Sequence, residues 1–465
     1  YCDPVAVFGD IDPIGDITQE RIDDLKEYNN HTKFADTLRH AYDLAGDDTS
    51  EAIYFIEQVT GHLIPDVRPM LAGGTESIRA QIEKNQAACG DDRKDYFEAM
   101  KISLDALEVL ADRYAALAEE KEAAASGEAK ERYRLMKDTL KKVPRHGADD
   151  LFEAIQSFIL IWQTMCLEQT PNPFAFSVGN ADRIFEPYRV KTNMSREVAA
   201  SLFKHLLVFF NVADRSWAIS QNLIIGGKSN EGDLTNPTSY ALLDAYYDMN
   251  LPQPILSVKL HKNTPKELYE SLGRFFFTPG CLTPSLFNDD SLFPILEAHG
   301  VDHEDLQDYS VAGCQEPLIM GKDNGNTTNS WLNLGKILEL CISGGVSTIT
   351  GKKLGKTDEE NGCKNKLEVL QNIRRIFYQN VDEYADRMTK AANAASEAIG
   401  LLQVPFLSTM MGGVESGIDT RDTKRQGTKY NGSGCLIHGL SVVADSFIAI
   451  DTLLKERPQD ADRLG

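Results

Sequence analysis

The chain has 465 residues, 42% of them hydrophobic, and a net charge of -22. That is enough apolar material for one large domain or about two to three ordinary ones. Negative charge spread along the whole length suits solubility and argues against nucleic acid or a membrane surface as partners.

The first third reads as helical. Residues 93–126 carry Phe97, Met100, Leu104, Leu107, Leu110, Tyr114 and Leu117 at three- and four-residue steps, which predicts an amphipathic helix packed on a larger body. A second, more buried helix is predicted after Pro144, with Asp149 and Asp150 at its N-terminal end. Its run "FILIWQTMCL" is the most apolar of the chain, yet falls short of the roughly 20 residues a membrane helix needs.

From about 174 the texture changes. "PFAFSVGNADRIFEPY", "SQNLIIGGKSNEGDLTNPTSY", "LPQPILSVKLH" and "CLTPSLFNDD" are short β-prone runs broken by Gly, Pro and Asn, with helices between them. This mixture predicts an α/β body. Residues 366–399 form another long helix, 350–364 a polar surface loop, and "HGLSVVADSFIAIDTLLKE" a last helix.

The eight cysteines include no CxxC pair, and the nine histidines no HxH or HExxH pattern. No metal site or disulfide framework is expected, and reduced thiols in a cytoplasmic protein are. Cys281 and Cys435 read as core. No glycine-rich phosphate loop precedes a clear helix.

The most informative stretch is "VAGCQEPLIMGKDNG", residues 311–325. In extended backbone Cys314 and Glu316 would share one face and Gln315 the other. Pro317 pushes Glu316 away from helical angles, and Gly313 permits a turn or a close approach. A carboxylate beside a thiol disfavours the thiolate, and no His, Lys or helix N-terminus is evidently paired with it; His303 lies eleven residues upstream. The pair suits a division of labour in which cysteine exchanges a hydrogen atom and glutamate a proton. The same local pattern also fits a small buried cysteine beside a solvated glutamate.

Around this stretch the chain resembles the glycyl radical enzyme family that includes pyruvate formate-lyase. Within that family it is most similar to the Cys-x-Glu branch of dehydratases, C–N and C–S lyases and arylacetate decarboxylases. "GHLIPD" at 61–66 is similar to the family's early loop, and "YFEAMKISLDALEVLADRYAALA" to its long surface helix. "FSVGNADRIFEPY" resembles its Gly-Arg-x-Asp-Gln stretch, with Asn180 in place of the arginine and Ile184 near the usual glutamine. "NLIIGGKSNEGDLTNPTSYALLDA" with "LPQPILSVKLH", and "PSLFNDDSLFPILEAHGVDHEDLQDYSVAGCQEP", follow in the family's order. So do "PFLSTMMGGVESGID" and "GLSVVADSFIAI".

The resemblance implies an α/β fold of two five-stranded half-barrels forming a ten-stranded barrel, wrapped by helices, with the cysteine loop at its centre. It also implies a lyase of small polar substrates. A glycyl radical, installed by a radical S-adenosylmethionine activating enzyme, would take hydrogen from Cys314. The thiyl radical would take hydrogen from substrate carbon, and Glu316 would handle the proton as a group leaves. The alternatives are an arylacetate decarboxylase and a non-catalytic subunit of the same fold.

Residues 1–465 are expected to form the N-terminal and central part of the pyruvate formate-lyase-like domain. The family's Arg-Val-x-Gly-Tyr glycyl loop has no counterpart in them. The expectation is therefore a fragment, or a chain whose radical domain is a separate polypeptide, inactive without it. A homodimer is expected.

For substrate contacts, the resemblance points to His62 in the early loop. It also points to Ser220 and Gln221 in "RSWAISQN", before a strand that borders the pocket. Thr327 falls where a choline-cleaving member places a substrate-facing threonine, and Asn329 follows it. Thr327 also fits a cap before "WLNLGKILEL", and His62 a satisfied loop histidine. The decarboxylases' histidine near this point is absent. Asp182, Gly226, Gly227, Asn236 and Asp289 read as architectural.

Overall fold

The computed structural model describes residues 18–46, 51–55, 61–168, 175–212, 220–281, 283–313, 315–324, 329–425, 427–432 and 434–464. Its strands, in chain order, are β1 (Ile53–Phe55), β2 (Gly179–Asn180), β3 (Asn222–Gly226), β4 (Lys228–Ser229), β5 (Gly232–Asp233) and β6 (Ile255–Leu260). They continue with β7 (Ser285–Asn288), β8 (Tyr309–Ala312), β9 (Glu316–Ile319), β10 (Asp323–Asn324), β11 (Ser330–Asn333), β12 (Tyr430–Asn431) and β13 (Cys435–His438). The fold class is α/β, and none of the sheets closes into a barrel among the described residues. No described helix is long and apolar enough to cross a membrane.

The chain divides into two compact units. The first includes Val59–Gly325 and Gln403–Gly432, and the second Thr18–Gln58, Asn326–Leu402 and Ser433–Gly465. At the heart of the first is a parallel sheet of order β2-β3-β6-β7. One face, with Leu223, Ile225, Leu256 and Val258, is fully buried in the main apolar core. Helix Leu151–Glu168 belongs to that core and is apolar on nearly every side, so it sits inside rather than on the surface. Its Trp162 meets Phe209 and Phe210 edge-on and donates its indole N–H to Phe176 O at 3.2 Å. Helix Pro237–Met249 starts with a proline and a reciprocal cap between Asn236 and Ser239.

The other face of the sheet carries Asn222, Ser257 and Lys259, each 1% exposed or less. The β8–β9 hairpin is tied to it by hydrogen bonds. Lys259 is the main anchor: its Nζ donates to Asn180 Oδ1 at 2.6 Å, Tyr309 O at 2.8 Å and Gln307 O at 3.3 Å. It also stands 4.4 Å from the centre of the Tyr309 ring. Burial pulls its ammonium down to about 7, with Arg183 adding to this and Asp289, Asp182 and Asp308 opposing. Arg183 donates to Gln307 O at 2.7 Å and Asp308 Oδ1 at 3.2 Å, and Tyr309 O–H to Asp289 Oδ1 at 2.7 Å.

Asp182 accepts from the Gly226 N–H at 2.7 Å and the Ser239 hydroxyl at 2.6 Å. These contacts make Asp182, Gly226, Asn236 and Asp289 architectural, as expected. At Gly227 (φ +98°) a Cβ would lie 2.8 Å from the Lys259 stem and 3.0 Å from the Asp289 carboxylate, so only glycine fits.

In the second unit, β11 lies between β1, antiparallel to it, and β13, parallel to it. Helix Ile373–Ile399 packs against Lys33–Ala45, and Glu51 meets the buried Lys336 at 3.0 Å.

Several local expectations are corrected. "FSVGNADRIFEPY" contributes only two strand residues before helix Ala181–Lys191. The long helix at 366–399 is two, Lys366–Gln371 and Ile373–Ile399. Helix Asp91–Ala124 buries Phe97, Met100, Leu104 and Leu107 but leaves Leu117 exposed. The segment 350–364 is not purely surface, since Leu354, Asn361 and Cys363 are buried. Cys435 is exposed, because it opens the edge strand β13 rather than a core strand. Six described cysteines are free thiols.

Candidate active site

The β8–β9 hairpin runs in the register Tyr309↔Ile319, Ser310↔Leu318, Val311↔Pro317 and Ala312↔Glu316. Residues 313–315 therefore connect the strands at its tip. Gly313, at φ +54°, and Gln315 belong to the turn. Cys314 itself lies outside the described residues.

Glu316 opens β9 and folds its carboxylate back over the turn, where Oε2 accepts the Gln315 N–H at 3.0 Å. Its Oε1 lies 4.0 Å from His62 Nε2, and the two side chains are only 15% and 6% exposed. His62 reaches this position from the early loop with φ +56°, a conformation unusual for a residue with a Cβ. Leu63 bridges to Phe176 just before β2, and the Ser177 N–H donates to Leu63 O at 3.0 Å. That pins the loop to the edge of the parallel sheet.

Between them Gly313 leaves no room for a side chain. A Cβ there would stand 2.7 Å from His62 Cδ2 and 2.9 Å from Glu316 Oε2. Of the two roles expected of Gly313, a turn and a close approach, both are present, for imidazole and carboxylate close over it.

Ser220 (φ +59°) and the buried Gln221 precede β3, whose first residue, Asn222, is the one hydrogen-bonded to the tip. Asn222, which directly follows Gln221, donates to Gly313 O at 3.3 Å. Thr327 lies outside the described residues. Asn329 belongs to the second unit, fully buried, its carboxamide oxygen accepting the Ser396 hydroxyl at 3.2 Å. His303 is exposed, between Glu297 at 2.6 Å and Asn230 at 2.8 Å, and plays no part at the tip. No cluster of metal-binding side chains exists among the described residues.

A turn flanked by a carboxylate and an imidazole, both shielded from water, is equipped to move protons between neighbouring atoms of one small molecule. Residues 15–459 match the family model described as pyruvate formate lyase-like. The chain belongs to that family.

This pyruvate formate lyase-like chain is 27% identical over 419 residues to the (2S)-3-sulfopropanediol dehydratase of Klebsiella oxytoca, covering 85% of the chain and 50% of the relative. It is 26% identical over 395 residues to the trans-4-hydroxy-L-proline dehydratase of Clostridioides difficile, covering 78% and 49%. The glycerol-bound structure of the B12-independent glycerol dehydratase from Clostridium butyricum shares the fold. Its TM-score is 0.84 at 24% identity, covering 96% of this chain and 59% of that one. The chain spans about half the length of the curated relatives it matches.

Proposed function

We propose that this chain carries the substrate-handling centre of a glycyl radical dehydratase or related C–X lyase. Cys314 exchanges a hydrogen atom with a small alcohol, and Glu316 and His62 exchange protons with it. The observation that carries this reading is the closure of the His62 imidazole and the Glu316 carboxylate over Gly313, beside Cys314 in the chain. Two curated relatives are named for dehydrating hydroxylated compounds, which supports the same class.

The family's glycyl radical, installed by a radical S-adenosylmethionine enzyme, supplies an acceptor for the sulfur's hydrogen. A turn with a proton acceptor on one flank suits that chemistry, because a carboxylate there disfavours a thiolate but not a neutral hydrogen donor.

The balance closes within the site. Hydrogen leaves the carbinol carbon for the sulfur of Cys314, and the hydroxyl proton passes to Glu316. The neighbouring C–X bond breaks, X departing with a proton from His62, and the hydrogen on sulfur returns to the product carbon. The result is a carbonyl compound plus HX, with no net oxidant. Glu316 has then gained one proton and His62 has lost one, and exchange with solvent after product release resets both.

The test is anaerobic activation of the full-length protein with its activase and S-adenosylmethionine, followed by electron paramagnetic resonance and by carbonyl release from vicinal diols. A radical signal with turnover that vanishes in Cys314→Ala supports the reading. Turnover persisting in that variant, or no signal at all, rejects it. Release of carbon dioxide from an arylacetate would move the reading to decarboxylation. A radical signal without turnover of any substrate class would leave a non-catalytic subunit.

A further inference from the structure

The carbonyl of Gly313 belongs to the peptide link that leads into residue 314, and a buried side chain holds it. Asn222 Nδ2 donates to Gly313 O at 3.3 Å and to Ser257 Oγ at 3.0 Å. Asn222 pairs with Ile255 across β3 and β6, while Ser257 pairs with Ile224. Both therefore point from the same face of the sheet and meet on the diagonal. Each is fully buried.

A second observation shows that this arrangement is kept at some cost. Asn222 Oδ1 is buried without a hydrogen-bond partner, a state that an apolar residue of the same size would avoid. The orientation that leaves the oxygen bare is the one that aims the N–H donors at Gly313 and Ser257. Local expense of this kind is common where geometry near a reacting group matters more than stability.

We propose that Asn222, backed by Ser257, is a positioning residue that fixes the peptide plane between Gly313 and residue 314. In this way it sets where the turn delivers the sulfur of Cys314. The inference rests on the reading of Cys314 as the hydrogen-exchanging residue, but the clamp itself is testable without turnover.

Asn222→Asp has the same shape but carries no donor for Gly313 O, and Asn222→Ala removes the clamp outright. In hydrogen–deuterium exchange on the full-length protein, both variants should exchange about tenfold faster across 309–319, with peptides covering Leu256 and Val258 unchanged. In the activated enzyme they should lower kcat about 10²-fold, as a misplacement of order 1 Å does, and raise the isotope effect of carbon-deuterated substrate. KM should stay within about threefold. Should the Asn222 variants fail to fold, Ser257→Ala should loosen the same segment, and Ser257→Thr, which keeps the hydroxyl, should restore it.

Unchanged exchange at 309–319 in folded variants overturns the clamp, even if the enzyme is active. Faster exchange with kcat and isotope effect untouched overturns the claim that the clamp serves the sulfur. An inactive activated wild type sinks the functional reading alone and leaves the exchange result to decide the clamp.

Discussion

His62 Nε2 and Glu316 Oε1 stand 4.0 Å apart across Gly313, too far for a direct hydrogen bond but close enough to flank one small molecule, with both groups largely withdrawn from water. The two residues come from opposite ends of the segment Val59–Gly325 and meet only because the early loop and the hairpin tip converge beside the parallel sheet.

If that pair handles the protons, Glu316→Gln should lower kcat by about 10²–10⁴-fold, the usual worth of a positioned acid or base. The melting temperature should stay close to wild type, because Glu316 makes one described hydrogen bond, to its neighbour's N–H. Steady-state assay beside a thermal melt checks both. An active Glu316→Gln enzyme would contradict the assignment.

Gly313→Ala should be harmful in two separable ways. A left-handed backbone at φ +54° disfavours alanine, and the new methyl would overlap His62 and Glu316. We expect a loss of about 2 kcal/mol or more in denaturant unfolding, together with loss of turnover. A fully stable, fully active variant would show that the tip is looser than described.

Lys259→Met keeps the bulk of the side chain and removes its charge. Asp182 and Asp289, both buried, and the half-buried Asp308 would lose one neighbouring cation, and the carbonyls of Gln307 and Tyr309 a donor. Breaking such a network by deleting one partner costs about 3–5 kcal/mol. Equilibrium unfolding should show that loss, with proteolysis at the hairpin rising in step.

Glu168 gives a pH signature. Burial pushes its carboxyl up to about 7, and the N–H groups of Leu407 and Phe406 only partly offset this. A group with a raised folded pKa binds more protons in the native state between its two values. Its contribution is therefore complete below about pH 4.5 and is lost as pH rises through about 7. Denaturant midpoints should show this falling component between about pH 5 and 7.5, worth of order 2 kcal/mol after allowing for partial solvent contact. Glu168→Gln should remove that component, and an unchanged slope would rule it out.

The hairpin tip was legible because glycine, a lone thiol, a carboxylate and proline within five residues constrain the backbone so narrowly. The buried polar face was not. "ILSVKL" alternates apolar and polar residues as a strand with one wet side does. The structure instead buries Ser257 and Lys259 under a hairpin more than forty residues later in sequence. Local periodicity cannot register a cover supplied from so far along the chain. Asn222 escaped for a related reason: its partners are a backbone carbonyl and a serine on another strand, and neither leaves a mark in the neighbouring residues. The partners that make Asp182 architectural, Gly226 and Ser239, lie 44 and 57 residues further along and are no more legible locally.

The anchoring of the hairpin by Lys259 has a further consequence. Two of its three acceptors are main-chain oxygens, which every residue type possesses. The foot of the hairpin is thus addressed by chain path rather than by side-chain identity. Positions such as Gln307 can be rewritten without moving the tip, and chemistry at the turn can be exchanged while its support stays in place.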